Sequence, residues 1–185
     1  MNASANSLTQ ECAAAAPAAR SFHALYNQHF DFVWRSLRRL GVRPAAVEDA
    51  VQDTFIVLHR RLEDLRSDAS AKAFLFAIAL RVSRDYRRSA QRKATERIDE
   101  DALVTLDAGP FERTAKAEAA RALERFLATL DDDKRAVFAA AELEGMTAPE
   151  ISEALSVPVN TVYSRLRLAR ERFLAFLTSE GGRHG

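Results

Sequence analysis

The run Thr147-Ala148-Pro149-Glu150-Ile151-Ser152-Glu153-Ala154-Leu155-Ser156-Val157-Pro158-Val159-Asn160-Thr161-Val162-Tyr163-Ser164-Arg165-Leu166-Arg167 starts a helix, stops it and starts another. Thr147 and Glu150 have capping-box spacing: the hydroxyl can accept from the Glu150 amide while the carboxylate reaches back to Thr147. Pro149 is tolerated because the first-turn N–H groups lack helical partners anyway. The first helix passes through Ile151 and Leu155 and ends at Ser156-Val157-Pro158; a second begins near Val159. In that second helix Val162, Leu166, Ala169 and Phe173 fall in a stripe about 60° wide. Asn160, Ser164, Arg167 and Glu171 lie opposite, with Tyr163 and Arg170 on the flank. Two short helices, a turn of three or four residues and a polar outer face make a helix-turn-helix pattern. The major groove admits one such helix, and Arg, Asn and Ser side chains can bond base edges there. Arg165 and Arg170 are better placed for phosphates, which position without specifying sequence. An ordinary helical hairpin with a solvated face is the competing reading, but cap, turn length, stripe and outer chemistry all agree against it.

Just upstream, Leu130-Asp131-Asp132-Asp133-Lys134-Arg135 opens another helix with acids at its positive end. Val137, Phe138 and Leu143 can pack on the pair, and Gly145 suits a helix stop. With residues 116–129 these helices make a small independent domain.

The whole chain has 185 residues, 48% of them apolar and 29% charged, with only 6 glycines and 5 prolines. That composition predicts an all-α protein. No apolar stretch approaches a membrane span, so no membrane insertion is expected. No basic segment leads into an apolar one at the N-terminus, and Cys12 is the single cysteine, so a disulfide framework is excluded and the cytoplasm is the expected location. The net charge of +1 is partitioned. Residues 20–93 hold 15 Lys and Arg against 8 Asp and Glu; residues 94–133 hold 5 against 11; residues 134–185 hold 7 against 6. The expected organisation is a disordered N-terminal tail (1–19), a basic first domain (20–93), a flexible acidic linker (94–115), a second domain with the helix-turn-helix (116–178) and a C-terminal tail (179–185).

Two helices matter in the basic block. In the first, about Ala45 to Leu62, Val47, Val51, Thr54, Leu58 and Leu62 face inward. Asp49, Gln52, Asp53 and Arg60 stand opposite with Ile56 among them, a patch suited to a protein contact carrying basic residues. In the second, about Ala71 to Arg92, Leu75, Ile78, Ala79, Val82 and Tyr86 face inward. Arg81, Arg84 and Arg88 share the outer face, with Arg87, Arg92 and Lys93 near the end and Phe74 and Phe76 at the start, beside the loop 63–70. Cations along one edge with aromatics at one end fit single-stranded nucleic acid, where phosphates need charge and bases need stacking surfaces.

These residues resemble the extracytoplasmic-function group of bacterial sigma factors. The likeness rests on Glu48-Asp49-Ala50-Val51-Gln52-Asp53-Thr54-Phe55, on the helix from Phe74 to Arg88, and on Asn160-Thr161-Val162-Tyr163-Ser164-Arg165 with Ala169-Arg170-Glu171. It covers about residues 21–177. The resemblance implies that Asp49, Gln52, Asp53 and Ile56 dock on the clamp helices of the RNA polymerase β′ subunit, the β subunit also being a partner. It implies that Phe74, Arg81, Arg84, Asp85 and Arg88 bind and open the minus-ten element. The loop 63–70 would hold a flipped base, and the linker would run through the RNA exit path. Asn160, Thr161, Tyr163, Ser164, Arg165, Arg167 and Arg170 would read the minus-thirty-five element. Phe74 stands where a common family pattern has Trp, and Arg81 where it has Asn, which bears on base choice at the minus-ten element. Asp131 replaces the usual Pro, and Ser156 replaces the usual turn Gly. No further C-terminal domain is expected, so the implied regulator is a separate anti-sigma factor.

A stand-alone helix-turn-helix regulator would explain residues 116–178 but leave the basic block without a purpose. An enzyme is a poor third: His23, His29, His59 and His184 lack metal spacing, and no glycine-rich phosphate loop or nucleophile motif is present. No cofactor and no metal are expected.

Overall fold

A computed structural model of the chain describes residues 22–65, 67, 70–96 and 115–181. The expected N-terminal tail with Cys12, most of the linker, part of the loop 63–70 and the last four residues with His184 lie outside the described residues. The described residues contain seven α-helices and no strand.

Helix α1 (Phe22–Arg39) buries Leu25, Phe32, Val33, Ser36 and Leu37, the spacing of one helical face. Arg38 and Arg39 fill its last turn, where cations complement the helix dipole. Two amides then fold back, Gly41 N–H to the Arg38 carbonyl and Val42 N–H to that of Leu37. This paired closure needs a left-handed residue, and Gly41 supplies it at φ +92°. A 3-10 turn from Pro44 to Ala46 leads into α2 (Val47–Arg60). Val47, Val51, Thr54 and Leu58 of its expected inward stripe are buried, together with Ala50 and Phe55. Ser67 and Ser70 then exchange backbone-to-hydroxyl hydrogen bonds of 3.2 Å immediately before α3 (Ala71–Glu96). In α3, Leu75, Ile78, Ala79 and Val82 are buried as expected, whereas Tyr86 is only half-buried.

The second half comprises α4 (Ala115–Thr129), α5 (Asp132–Phe138), a π turn (Ala139–Leu143), α6 (Ala148–Leu155) and α7 (Val159–Gly181). Asp131 caps α5 by accepting from the Lys134 amide at 2.9 Å, so the residue in place of the family's proline is a functional N-cap. The Lys134 ammonium, then its amide, hold the Asp131 carboxyl below the usual range. Buried Arg135 donates to the carbonyls of Leu127 (2.7 Å), Leu130 (3.2 Å) and Ala128 (3.4 Å), in the last turn of α4 and just beyond it. Gly145, at φ +63°, makes the expected stop.

Of the two halves, α1–α3 and α4–α7, the first has α3 continuing to Glu96 and the second has α7 continuing to Gly181, past the expected ends at 93 and 178. They do not stand apart. Phe126, Phe138, Phe173 and Phe176 form a local core of the second half, with ring centroids 4.8–5.6 Å apart for the Phe126 pairs. The larger core begins in α1–α3 and continues without a break into Ala136, Val137, Ala140, Met146, Ile151, Val162 and Leu166. Helix α6 packs on α3, and the π turn on α1. The second domain, expected to be independent, is docked on the first.

Candidate nucleic-acid interface

The helix-turn-helix has the expected local chemistry. Thr147 N–H donates to the Glu150 carboxylate at 2.6 Å, and the Thr147 hydroxyl accepts from the Glu150 amide at 3.5 Å. The Thr147 N–H, then the Thr147 hydroxyl donating to the same carboxylate at 2.8 Å, hold the Glu150 carboxyl below its ordinary pKa. The turn closes by Ser156 N–H to Glu153 and Val157 N–H to Ser152, with Ser156 at φ 53°, ψ 45°. A serine thus occupies the left-handed position that glycine fills at least cost. Val162, Leu166 and Ala169 are buried and Phe173 half-buried, which turns Asn160, Tyr163, Ser164 and Arg167 to solvent. Tyr163 is 58% exposed, and Thr161 is half-buried beside it. Arg167 leans on Glu171 at 2.6 Å along its own helix, and Arg170 reaches Glu142 at 2.6 Å. Such exposed pairs contribute little and yield readily to a phosphate or a base.

Helix α3 is different. Arg81 and Arg88 are exposed, and Arg88 pairs with Asp85 one turn back. Arg81, Arg84, Arg87 and Arg88 all line a polar cleft of about 700 Å³ between α3 and the second half, and only Arg84 and Arg87 find acceptors across it on α5. There Arg87 meets Asp132 at 2.5 Å and Arg84 meets Asp133 at 3.2 Å. The second oxygen of Asp133 accepts from Arg165 of α7 at 2.5 Å. Phe74 is half-buried at the start of α3, with the Arg61 guanidinium 5.2 Å above its ring. Phe76, expected as a second stacking surface, is instead fully buried and packs near Phe32, ring centroids 6.5 Å apart. It belongs to the core and can offer no face to a base.

On α2, Asp49, Gln52, Asp53 and Ile56 form one exposed patch, Ile56 at 39% exposure. Tyr86 of α3 donates to Asp53 at 2.7 Å, and burial followed by this bond pushes the phenol up to about 12. The exposed α2 patch and α3 are thereby linked by a direct hydrogen bond. Next to Gln52 and Ile56 lies an apolar cleft of about 490 Å³, walled by Phe22, Tyr26, Phe30 and Trp34 of α1 and by Phe55. The sequence reading did not include this groove, although aromatic residues at every fourth position from 22 to 34 mark it.

A second cluster also escaped the sequence reading. Glu144 follows the π turn, its side chain only 2% exposed, and its carboxylate is bound by Arg39 and, at 3.4 Å, by Arg35. Lys72 donates to the Glu144 carbonyl at 2.7 Å, and Arg39 to that of Leu143 at 2.9 Å. Arg38 pairs with Glu124 at 2.5 Å. In all these contacts the cation comes from the first half and the acceptor from the second. Gly41 completes the joint: a Cβ there would lie 2.7 Å from the Arg135 guanidinium and 3.3 Å from Arg87 Cδ. Burial, then the Arg87 cation, lower the Arg135 pKa.

Comparison with known proteins accounts for both halves. Residues 25–93 match the Sigma-70 region 2 family and residues 120–173 match Sigma-70 region 4. The RNA polymerase sigma factor NccH of Alcaligenes xylosoxydans xylosoxydans is 34% identical over 164 residues, 86% of this chain and 88% of that one. The ECF RNA polymerase sigma factor SigL of Mycobacterium tuberculosis is 32% identical over 163 residues, 84% of this chain and 88% of its own. Among solved structures, CnrH in complex with the cytosolic domain of CnrY superimposes with a TM-score of 0.64 at 28% identity, covering 85% of this chain and 88% of that one. RpoE of Bartonella quintana, solved with the anti-sigma factor NepR, has the same fold, with a TM-score of 0.67 at 18% identity over 85% of this chain and 96% of that one. With both regions present in order and the identity spread along nearly the whole length of its relatives, this chain belongs to the extracytoplasmic-function sigma factors of bacterial RNA polymerase.

Proposed function

We propose that this sigma factor docks on core RNA polymerase through Asp49, Gln52, Asp53 and Ile56 of α2. The neighbouring aromatic groove would accept apolar side chains of the β′ clamp helices, and the β subunit would hold the second half. Helix α3 then engages the displaced strand at the minus-ten element through Arg81, Arg84, Asp85 and Arg88, with Phe74 as the stacking surface. Helix α7 enters the major groove at the minus-thirty-five element. Asn160, Thr161, Tyr163, Ser164 and Arg167 face the bases, and Arg165 and Arg170 face phosphates. The polymerase supplies the chemistry, in the cytoplasm; this chain supplies address and strand opening. The complex of CnrH with CnrY supports control by a protein partner, an anti-sigma factor.

The observation that carries this reading is the presence of two separate cation-bearing helices, α3 and α7, beside a carboxylate and amide patch that neither uses for DNA. A stand-alone regulator needs only the second helix. Run-off transcription from genomic fragments with core polymerase tests it. Discrete transcripts are expected only when the chain is added, and Asp53→Arg should abolish them together with co-purification of core. An unchanged transcript pattern, or a dimer that binds palindromic duplex without polymerase, would favour the stand-alone regulator.

A further inference from the structure

Tyr86 joins α3 to the exposed face of α2. Its half-buried ring packs against the core of the first half, so the hydroxyl reaches the rim of the helix pair with little freedom of its own. There it donates to Asp53 Oδ2 at 2.7 Å. Asp53 is exposed, and its Oδ1 has no partner among the described residues. Asp49 stands one turn earlier on the same face. Burial, the Asp53 bond and the two carboxylate charges keep the phenol protonated, so it remains a donor at every working pH. The residue type is informative, because α3 carries Arg84, Arg87 and Arg88 on either side of Tyr86. An arginine at 86 would also satisfy Asp53, but it would cancel the charge. A phenol holds the carboxylate and leaves the charge in place.

We propose that Tyr86 is a positioning residue for polymerase docking: it fixes the Asp53 carboxylate, charge intact and one oxygen free, for a cationic side chain of the core enzyme. The inference rests on the assignment of Asp49, Gln52, Asp53 and Ile56 as the docking patch. An aspartate alone on a helix surface samples several rotamers, and a partner that needs one of them must stop that motion when it binds. Tyr86 stops it beforehand. Two carboxylates one helical turn apart also repel each other. A neutral donor at Asp53 offsets part of that repulsion without removing the charge that a basic partner seeks. The long-range attraction between patch and partner is therefore untouched by the hydrogen bond. What the bond changes is how long the docked pair survives, since association follows charge and dissociation follows the quality of the close contact.

The test is a double-mutant cycle of Tyr86→Phe and Asp53→Asn in the full chain, with binding to core RNA polymerase followed by biolayer interferometry at fixed salt. Tyr86→Phe removes one oxygen and keeps the ring; circular dichroism and the melting temperature check that each variant is folded. Tyr86→Phe should weaken core binding about threefold to tenfold, the range expected when one side chain must be immobilised on binding. Nearly all of the loss should lie in faster dissociation, with association within about twofold of the parent. Asp53→Asn should slow association as well, because it removes the charge. In the Asp53→Asn background, Tyr86→Phe should have no further effect. Parent-like or tighter binding by Tyr86→Phe, alongside a weakened Asp53→Asn, overturns the positioning role and leaves the docking patch standing. An equal loss from Tyr86→Phe in both backgrounds also overturns it, since the phenol then acts through something other than Asp53. If Asp53→Asn binds core as the parent does, the docking patch itself is misassigned and the proposal falls with it.

Discussion

Helices α3 and α7 both carry arginines here proposed to meet DNA, yet most of those arginines stand in different states. Along α7, Asn160, Tyr163, Ser164 and Arg167 face solvent, and the ion pairs of Arg167 and Arg170 are exposed. Along α3, Arg84 and Arg87 are bound to Asp133 and Asp132 of the other half, in a cleft. The cause lies in what each helix must cover. α7 buries one stripe against α5 and α6, lends Arg165 to Asp133 and leaves Asn160, Tyr163, Ser164 and Arg167 exposed. α3 is packed by α1 and α2 on one side and by α6 on another. Only a narrow part of its surface remains, and Arg84, Arg87 and Arg88 there already have carboxylate partners. Charge surplus in a sequence therefore measures the demand for anions without saying whether the anion is intra- or intermolecular.

The largest expected effect comes from Arg84→Glu, which breaks the comparison on the α3 side. The new carboxylate faces Asp133, so the joint loosens; it also faces the DNA backbone, so binding weakens. A larger radius of gyration with lower affinity for single-stranded minus-ten DNA is expected. Transcription from duplex promoters should fall, and the plot of log affinity against log salt should become shallower by about one or two, since one phosphate contact is lost and a repulsion gained. Undiminished transcription from a duplex promoter would remove Arg84 from the DNA face.

That contrast also marks what was legible in the amino-acid order. The helix-turn-helix was readable because its determinants are local: the Thr147–Glu150 cap, the stop at Ser156-Val157-Pro158 and the Val162, Leu166, Ala169 stripe act within a few residues of one another. Phe76 was misplaced because a helix wheel assumes one buried side. α3 has more than one neighbour, so Phe76, Leu80 and Ser83 are buried along with Leu75 and Val82. Asp132 and Asp133 read as complements to a helix dipole, and they do lie in the first turn of α5. Their second role depends on arginines more than forty positions upstream, a pairing that no local pattern encodes. Glu144 was silent for the same reason: its partners Arg35 and Arg39 are over a hundred residues away.

On the α7 side the comparison is sharpened by Arg167→Ala. Its guanidinium is held only by an exposed pair with Glu171, so nothing in the fold should change. If it reads a guanine, the substitution costs about 1–3 kcal/mol at a single position of the minus-thirty-five element and leaves other positions untouched. A binding series over all single-base variants, measured with holoenzyme, separates this from a uniform loss, which would make Arg167 a phosphate contact. The closed joint should be unaffected, and scattering should give the parent radius. An Arg167→Ala protein that opened would show that α7 is less independent of the joint than its exposure indicates.

The smallest expected effect tests whether α7 owes its open face to the turn that precedes it. Ser156 holds a left-handed conformation, which costs an L-residue about 1–2 kcal/mol relative to glycine. Glycine in turn loses more conformational entropy on folding, about 0.5–1 kcal/mol. The balance favours Ser156→Gly by about 0.5 kcal/mol, a rise in melting temperature of about 1–2 °C for a chain of this size. The backbone bonds that close the turn, from Ser156 N–H to Glu153 and from Val157 N–H to Ser152, are unchanged by the substitution. Base preference along the minus-thirty-five element should therefore stay as it was. A stabilised protein with altered base preference would mean that the strained serine tilts α7, and that the turn, along with the outer face of the helix, selects the sequence it reads.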